Sequence, residues 1–188
     1  MDMDVREAIE TRRSIKRFTD RTVTRAEMEA LLEAAVHAPN HRLTQPWRFH
    51  VLGPRARRAY GEALGRRKAM KVEDPAAAAL VLEKVASEHE HLPAMIAVAM
   101  VQAENPEIRE EDYAATMMAV QNIVLMAAAM ALGAHIKSGA VMDDPAARAA
   151  VGAVDGERII ATIHLGEPLE VPTPRQRQPA AALTRWLD

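Results

Sequence analysis

Apolar positions recur every three or four residues in some stretches of this chain and run together in others. Val5, Ala8 and Ile9 share one side of a helix over roughly residues 3–13. Met28, Leu31, Leu32, Ala35 and Val36 form the buried stripe of a second helix, which Thr24 and Glu27 open as a Thr-x-x-Glu capping box. Pro39 stops it, because the residue before a proline avoids the helical region. Trp47 to Leu52 alternate enough for a strand, ended by Gly53-Pro54. Two helices are predicted over about 55–70 and 75–90, the first with a highly charged outer face expected to be solvated. Pro93 to Val101 is apolar without alternation, as in a strand buried on both faces.

Glu104-Asn105-Pro106 then reads as a loop. From about Glu110 to Leu132 the pattern is helical, and from Ile123 it is apolar nearly all round. Such a helix is expected to lie centrally or under a second subunit, with Gly133 as its C′ residue. Pro145 to Val151 predicts a short helix capped by Asp143 or Asp144. Arg158 to Leu165 is the most β-prone segment, and Gly166-Glu167-Pro168 ends it. No repeat or linker divides the chain, so residues 1–188 are expected to form one domain. Residues 168–188 form a tail rich in proline and arginine that reaches Trp186-Leu187. It cannot build a core alone and is predicted to dock on a partner subunit.

Composition narrows the chemistry. With no cysteine, disulfides, thiolate catalysis, zinc–thiolate sites and iron–sulfur clusters are excluded. The net charge of −2 gives no global attraction to nucleic acid or membrane, and aromatics at 3% leave few platforms for stacking bases. The acidic N-terminus lacks an apolar signal core, and the run Ile123 to Ala134 is shorter than the ~20 residues a bilayer span needs. A cytoplasmic location without membrane contact is therefore expected.

Familiar catalytic motifs are missing. There is no Gly-x-Gly-x-x-Gly opening a helix, no P-loop and no Gly-x-Ser-x-Gly. Glu88-His89-Glu90-His91 has metal-binding residue types, but further ligands would have to converge on it, and no metal is expected. Three polar clusters remain, each beside an apolar element: Arg12-Arg13-Ser14, the loop from His37 to Gln45, and Lys137-Ser138-Gly139. Arginine forks and a hydroxyl suit phosphate oxygens. The basic run Arg12 to Arg21, with arginines at 55–58 and 66–67, also leaves open a small DNA-binding regulator, against which the net charge counts.

These segments together resemble the nitroreductase family of FMN-dependent NAD(P)H oxidoreductases, in its minimal short-chain branch. They are Arg12-Arg13-Ser14 with Ile15-Lys16-Arg17-Phe18, His37-Ala38-Pro39-Asn40-His41 with Gln45-Pro46-Trp47, and Gly133 to Gly139 followed by a strand ending at Pro168. The resemblance implies an α+β fold: a central, mostly antiparallel sheet flanked by helices, in an intertwined homodimer with FMN at the subunit interface. It assigns FMN contacts to Arg12, Arg13, Ser14, His37, Asn40, His41, Ile136, Lys137 and Ser138, with Arg177 of the tail as a further phosphate ligand. It places NAD(P)H near Met126, Ala127, Ala128, Ala129, Met130 and Ala131. The implied reaction is ping-pong: a hydride passes from NAD(P)H to flavin, then to an electrophilic acceptor such as a nitroarene or quinone. The flavin carries that chemistry, so no protein nucleophile or catalytic acid is singled out. An FMN-binding carrier or sensor without turnover is the alternative.

Overall fold

Cap-and-proline pairs start four of the helices. Gly53-Pro54, Asp74-Pro75, Asn105-Pro106 and Asp144-Pro145 each place extended backbone at the cap and proline at the first helical position. There the fixed φ suits a helix and the missing N–H has no partner to lose. In the computed structural model, which describes residues 3–187, these pairs open α3 (Pro54–Ala69), α4 (Pro75–Glu90), α5 (Pro106–Ala129) and α6 (Pro145–Val151). Helix α5 thus begins ahead of the predicted Glu110, because the Asn105 side chain accepts from the N–H groups of Glu107 and Ile108. Ahead of these lie α1 (Val5–Thr11) and α2 (Arg25–Val36), the latter opened by the predicted reciprocal bonds between Thr24 and Glu27.

Four strands form one antiparallel sheet in the order β1-β2-β4-β3, with β1 Trp47–Val51, β2 Ala94–Val101, β3 Gly133–Lys137 and β4 Glu157–Gly166. Both faces are covered, which is why β2 is apolar without alternation. Ile96 and Val98 point into a core with α2 and α5; Met95 and Ala97 point into a second core with Tyr60 and Ala63 of α3 and Ala147 and Val151 of α6. The register slips between Val98 and Ala99, so Ile160 of β4 is the extra residue of a bulge. Among the described residues no helix is long and apolar enough to cross a membrane.

Two expectations change. The segment after α5, to which the sequence pattern assigns no element, is strand β3. Gly133 is its first residue, not the helix cap. The left-handed C′ position is held by Ala131 (φ 56°). Leu132 N–H bonds to Ala127 O at 2.8 Å and Ala131 N–H to Ala128 O at 3.0 Å, the paired bonds of a Schellman ending. Gly133 is small for another reason: a Cβ there would lie 2.7–2.9 Å from three atoms of Ile15.

Helix α5 has its sheet-facing side buried, while Tyr113 and Met118 remain exposed. Within one chain it is therefore not covered all round. The tail is exposed from Leu169 onward, apart from contacts near its start, and Trp186 is 91% exposed.

Candidate active site

The N-terminal segment is laced to the far edge of the sheet. Ile15 N–H donates to Ala134 O at 3.0 Å, and Ser14 bridges Ala134 in parallel. Further on, Thr19 N–H donates to Glu167 O, Leu169 N–H donates to Arg17 O, and Phe18 bridges Pro168. The close approach that Gly133 permits makes this possible. The cluster Arg12-Arg13-Ser14 is thereby tied to the strand that leads to Lys137-Ser138-Gly139, more than a hundred residues away in sequence.

Charge at this junction is one-sided. Lys137 is half-buried, and burial pushes its ammonium below the usual lysine range. Lys68 and Lys16 push the same way, and Glu88 pulls partly back. A buried cation beside other cations favours an anion in their midst. Just beyond Lys137 a cavity of about 430 Å³ is lined by Arg67 and Lys68 of α3 and Lys71 after its end, together with Ser138, Gly139 and Val141. Gly139 has φ 124° and ψ −178°, a conformation open essentially to glycine alone, and nothing lies within 4 Å of where its Cβ would stand. Its backbone is thus open to a ligand.

The loop between α2 and β1 packs on α5. Arg42 Nε donates to Glu111 at 3.1 Å, and the Thr44 hydroxyl donates to the buried Asp112 carboxylate. Leu43 and Gln45 both adopt left-handed backbone, φ 50° and 46°, at roughly 1–2 kcal/mol each for non-glycine residues. His37 and His41 are exposed.

Residues 9–167 match the profile of the Nitroreductase family. The chain belongs to the nitroreductase family. It is 33% identical over 176 residues to the provisionally named NAD(P)H nitroreductase YfhC of Bacillus subtilis (strain 168), covering 93% of this chain and 90% of that one. Among solved structures, a nitroreductase-like family protein from Bacillus cereus superposes with a TM-score of 0.86 at 28% identity, covering 98% and 96% of the two chains. A provisionally assigned nitroreductase from Desulfovibrio desulfuricans, solved in complex with FMN, has a TM-score of 0.73 at 28% identity, over 98% and 96%. The α+β architecture read from the sequence is the nitroreductase fold.

On this nitroreductase the predicted residues fall into groups. Arg12 and Arg13 are half-buried and Ser14 is exposed at the junction; the Arg13 guanidinium already donates to Glu10 O and Arg12 O. Lys137 ends β3, three residues beyond the Ser14–Ala134 bridge, and Ser138 follows it. Ile136 points to the other face of the sheet and packs against the α2–α5 core. Asn40 is engaged within its own loop, where its Oδ1 accepts Gln45 N–H at 2.7 Å. His37 faces Glu33 at 3.5 Å. Of the predicted NAD(P)H segment, Ala127 is fully buried with its carbonyl in the helix cap, and Ala129 and Ala131 are exposed. Arg177 lies in the exposed tail.

The cations at the end of α3 are a further part of the site. Arg67 and Lys68 belong to a run expected to be solvated, yet with Lys71 just after the helix they line the cavity beside Ser138. Their spacing carried no sign of this, because only the packing of α3 against α6 and residues 140–143 brings them there. Arg58, by contrast, is tied to Glu62, Glu83 and Glu90 at the surface, which removes one of the charges a DNA-binding reading needs.

Behind Lys137 lies a buried set of imidazoles. His164 sits directly opposite His135 on β3, and its ring meets that of His89 edge-on at 5.2 Å. Burial, then the nearby Lys137, pushes His164 down to about 2, and burial likewise lowers His89 and His135. His89 Nδ1 donates to Val85 O at 2.7 Å, a helix-interior bond. The tract Glu88-His89-Glu90-His91 is thereby accounted for without a metal: His89 is buried, His91 Nδ1 bonds to Ser87 O, and Glu90 pairs with Arg58. Among the described residues no group of three or more His, Asp or Glu is placed to hold a metal ion.

Proposed function

We propose that this nitroreductase-family chain is an FMN-dependent NAD(P)H oxidoreductase, with FMN seated where the N-terminal segment crosses β3. The single observation that supports this reading is the Ile15–Ala134 hydrogen bond, which ties the segment carrying Arg12, Arg13 and Ser14 to the strand that leads to Lys137 and Ser138. The donor set fits the group. Guanidinium and hydroxyl suit a phosphate dianion, and an ammonium already destabilised by burial and like charge suits an electron-rich ring edge.

FMN, when bound, supplies the chemistry: it takes a hydride from NAD(P)H and passes it to an electrophilic acceptor such as a nitroarene or quinone. The chain's own residues bind and orient. Arg12, Arg13 and Ser14 hold the phosphate. Ser138 and the open backbone of Gly139 face the ring. Lys137 and Lys68 keep the local field positive, which favours negative charge on a bound ring. His37, His41 and the Asn40 loop serve the site of a second copy, and the exposed tail with Trp186 and Arg177 wraps that copy in an intertwined homodimer. Exposed Val5 and Ile9 on α1 and Met118 on α5 support such an interface. Nothing in this arrangement needs a protein nucleophile, in keeping with ping-pong transfer at a shared ring face.

The visible spectrum tests the reading. Purified protein is expected to be yellow or to take up added FMN, and to bleach with NADH or NADPH. Arg12→Ala is expected to weaken FMN binding by about 10- to 100-fold, the worth of one charged hydrogen bond. A colourless protein that refuses FMN would refute the proposal. Steady-state oxidation of NAD(P)H with a quinone or nitroarene separates an enzyme from an FMN carrier, and parallel double-reciprocal lines identify ping-pong order.

A further inference from the structure

The loop between α2 and β1 carries a hydrogen-bond chain that runs into the protein. Gln45 N–H donates to Asn40 Oδ1 at 2.7 Å, the Asn40 amide donates to Thr44 Oγ1 at 3.1 Å, and the Thr44 hydroxyl donates to the Asp112 carboxylate. Asp112 stands on α5 and is 3% exposed. A carboxylate so buried requires a donor, and among the described residues Thr44 is the side chain that supplies one. Arg42 adds a second tie, to Glu111 at 3.1 Å with Glu107 at 3.8 Å.

This anchor holds an unfavourable conformation. Leu43 and Gln45, on either side of Thr44, both have positive φ. Backbone strain of this kind persists only where the surroundings over-determine it. Its product is a leucine held 77% exposed, two residues from His41. A large apolar side chain fixed outward on a rigid loop is a ready-made contact surface, and a surface already ordered loses little entropy when a ligand lands on it.

We propose that Asp112 is a positioning residue for acceptor binding: through Thr44 it locks residues 40–45 and presents Leu43 as an apolar wall against a flat, apolar electron acceptor. This rests on the preceding reading, in which the loop borders the flavin site of the dimer. The lock acts on where the acceptor lies and leaves the electron transfer itself to the ring, so it is visible in KM rather than kcat.

Thr44→Val removes the hydroxyl at nearly constant volume, Asp112→Asn removes the charge, and Thr44→Ser keeps the hydroxyl. In FMN-loaded protein, trypsin is expected to nick the first two after Arg42 about tenfold faster than wild type, the effect of one lost charged hydrogen bond. The same two variants are expected to raise KM for a nitroarene or quinone about fivefold or more, with kcat little changed. Thr44→Ser is expected to match wild type in both readouts. Leu43→Asn tolerates the left-handed backbone; it is expected to keep trypsin resistance and raise KM alone. Nicking unchanged in both Thr44→Val and Asp112→Asn overturns the lock. Faster nicking with unchanged KM overturns its part in acceptor binding. If wild type takes up no FMN, the preceding reading fails and this role with it; FMN-loaded wild type beside indifferent variants overturns the lock proposal alone.

Discussion

Gly133→Ala is the sharpest perturbation of the junction between the N-terminal segment and β3. In an isolated strand this change is favourable, since alanine loses less backbone freedom than glycine on folding. Here the new Cβ would meet Ile15 Cγ1 at 2.7 Å, Cβ at 2.8 Å and Cγ2 at 2.9 Å. Because Cβ is one of the three, no rotamer of Ile15 clears the clash. The backbone of Ile15 must retreat by roughly 0.7–1 Å to reach ordinary carbon–carbon separation. The Ile15 N–H to Ala134 O bond, 3.0 Å in the native protein, then stretches beyond hydrogen-bond range. Overpacking costs about 1–3 kcal/mol, and the lost bond about 0.5–1.5 kcal/mol more. For a chain of this size, a loss of roughly 2–4 kcal/mol lowers Tm by about 5–15 °C.

Calorimetry or thermal fluorescence on Gly133→Ala reads the stability loss directly. Ile15→Gly supplies the control: in the double variant all three clashing atoms are gone, so the two substitutions should be strongly non-additive, with the pair less destabilised than the sum of the singles. FMN affinity is expected to follow stability, because Arg12, Arg13 and Ser14 ride on the displaced segment. A Tm for Gly133→Ala equal to or above that of wild type would refute the reasoning about the junction.

Other expectations follow from particular groups. His89 and His164 have folded pKa values below the ordinary 6.5, so the unfolded chain binds more protons as pH falls. Their stabilising contribution is complete above pH 6.5 and is lost below it at up to ~1.4 kcal/mol per pH unit for each histidine still neutral in the fold. Urea midpoints between pH 7.5 and 5 should show this acid lability, and His164→Phe should remove one histidine's share of the slope. Ala131→Gly should stabilise by about 0.5–1 kcal/mol, measured by urea unfolding, because φ 56° strains alanine but not glycine. Arg57→Met should cost about 2–4 kcal/mol by the same measurement. The buried guanidinium donates to Leu52 O at 3.2 Å and to Glu90 O at 3.0 Å, and the variant strands both carbonyls.

Much of this molecule was legible along the chain. The helices, the buried strand at β2, the capping box at Thr24 and the three polar clusters all follow from local spacing, because helix and strand periods and cap chemistry are local properties. The start of α5 lies ahead of its apolar pattern because Asn105-Pro106, loop-like in composition, is a cap residue followed by proline and so a helix opening. Strand β3 escaped notice because Gly133-Ala134-His135-Ile136-Lys137 has no strong β-propensity; its conformation comes from pairing with β4 and from Ile15 on its other side.

The sequence by itself determined which side chains could hold a phosphate and that no cysteine or nucleotide-binding glycine motif would be involved. The tertiary structure decided which of them meet. The segment of Arg12-Arg13-Ser14 is joined to the strand leading to Lys137-Ser138 by the Ile15–Ala134 backbone bond, and Gly133 is a glycine for that contact rather than for the helix end where its position suggested it belonged. Lys68 enters the site from a helix whose charges look like ordinary surface, and the loop around Thr44 is set by a carboxylate on α5. Propensity and periodicity act over a few residues, whereas close approach, burial of charge and backbone strain depend on what distant segments bring into contact.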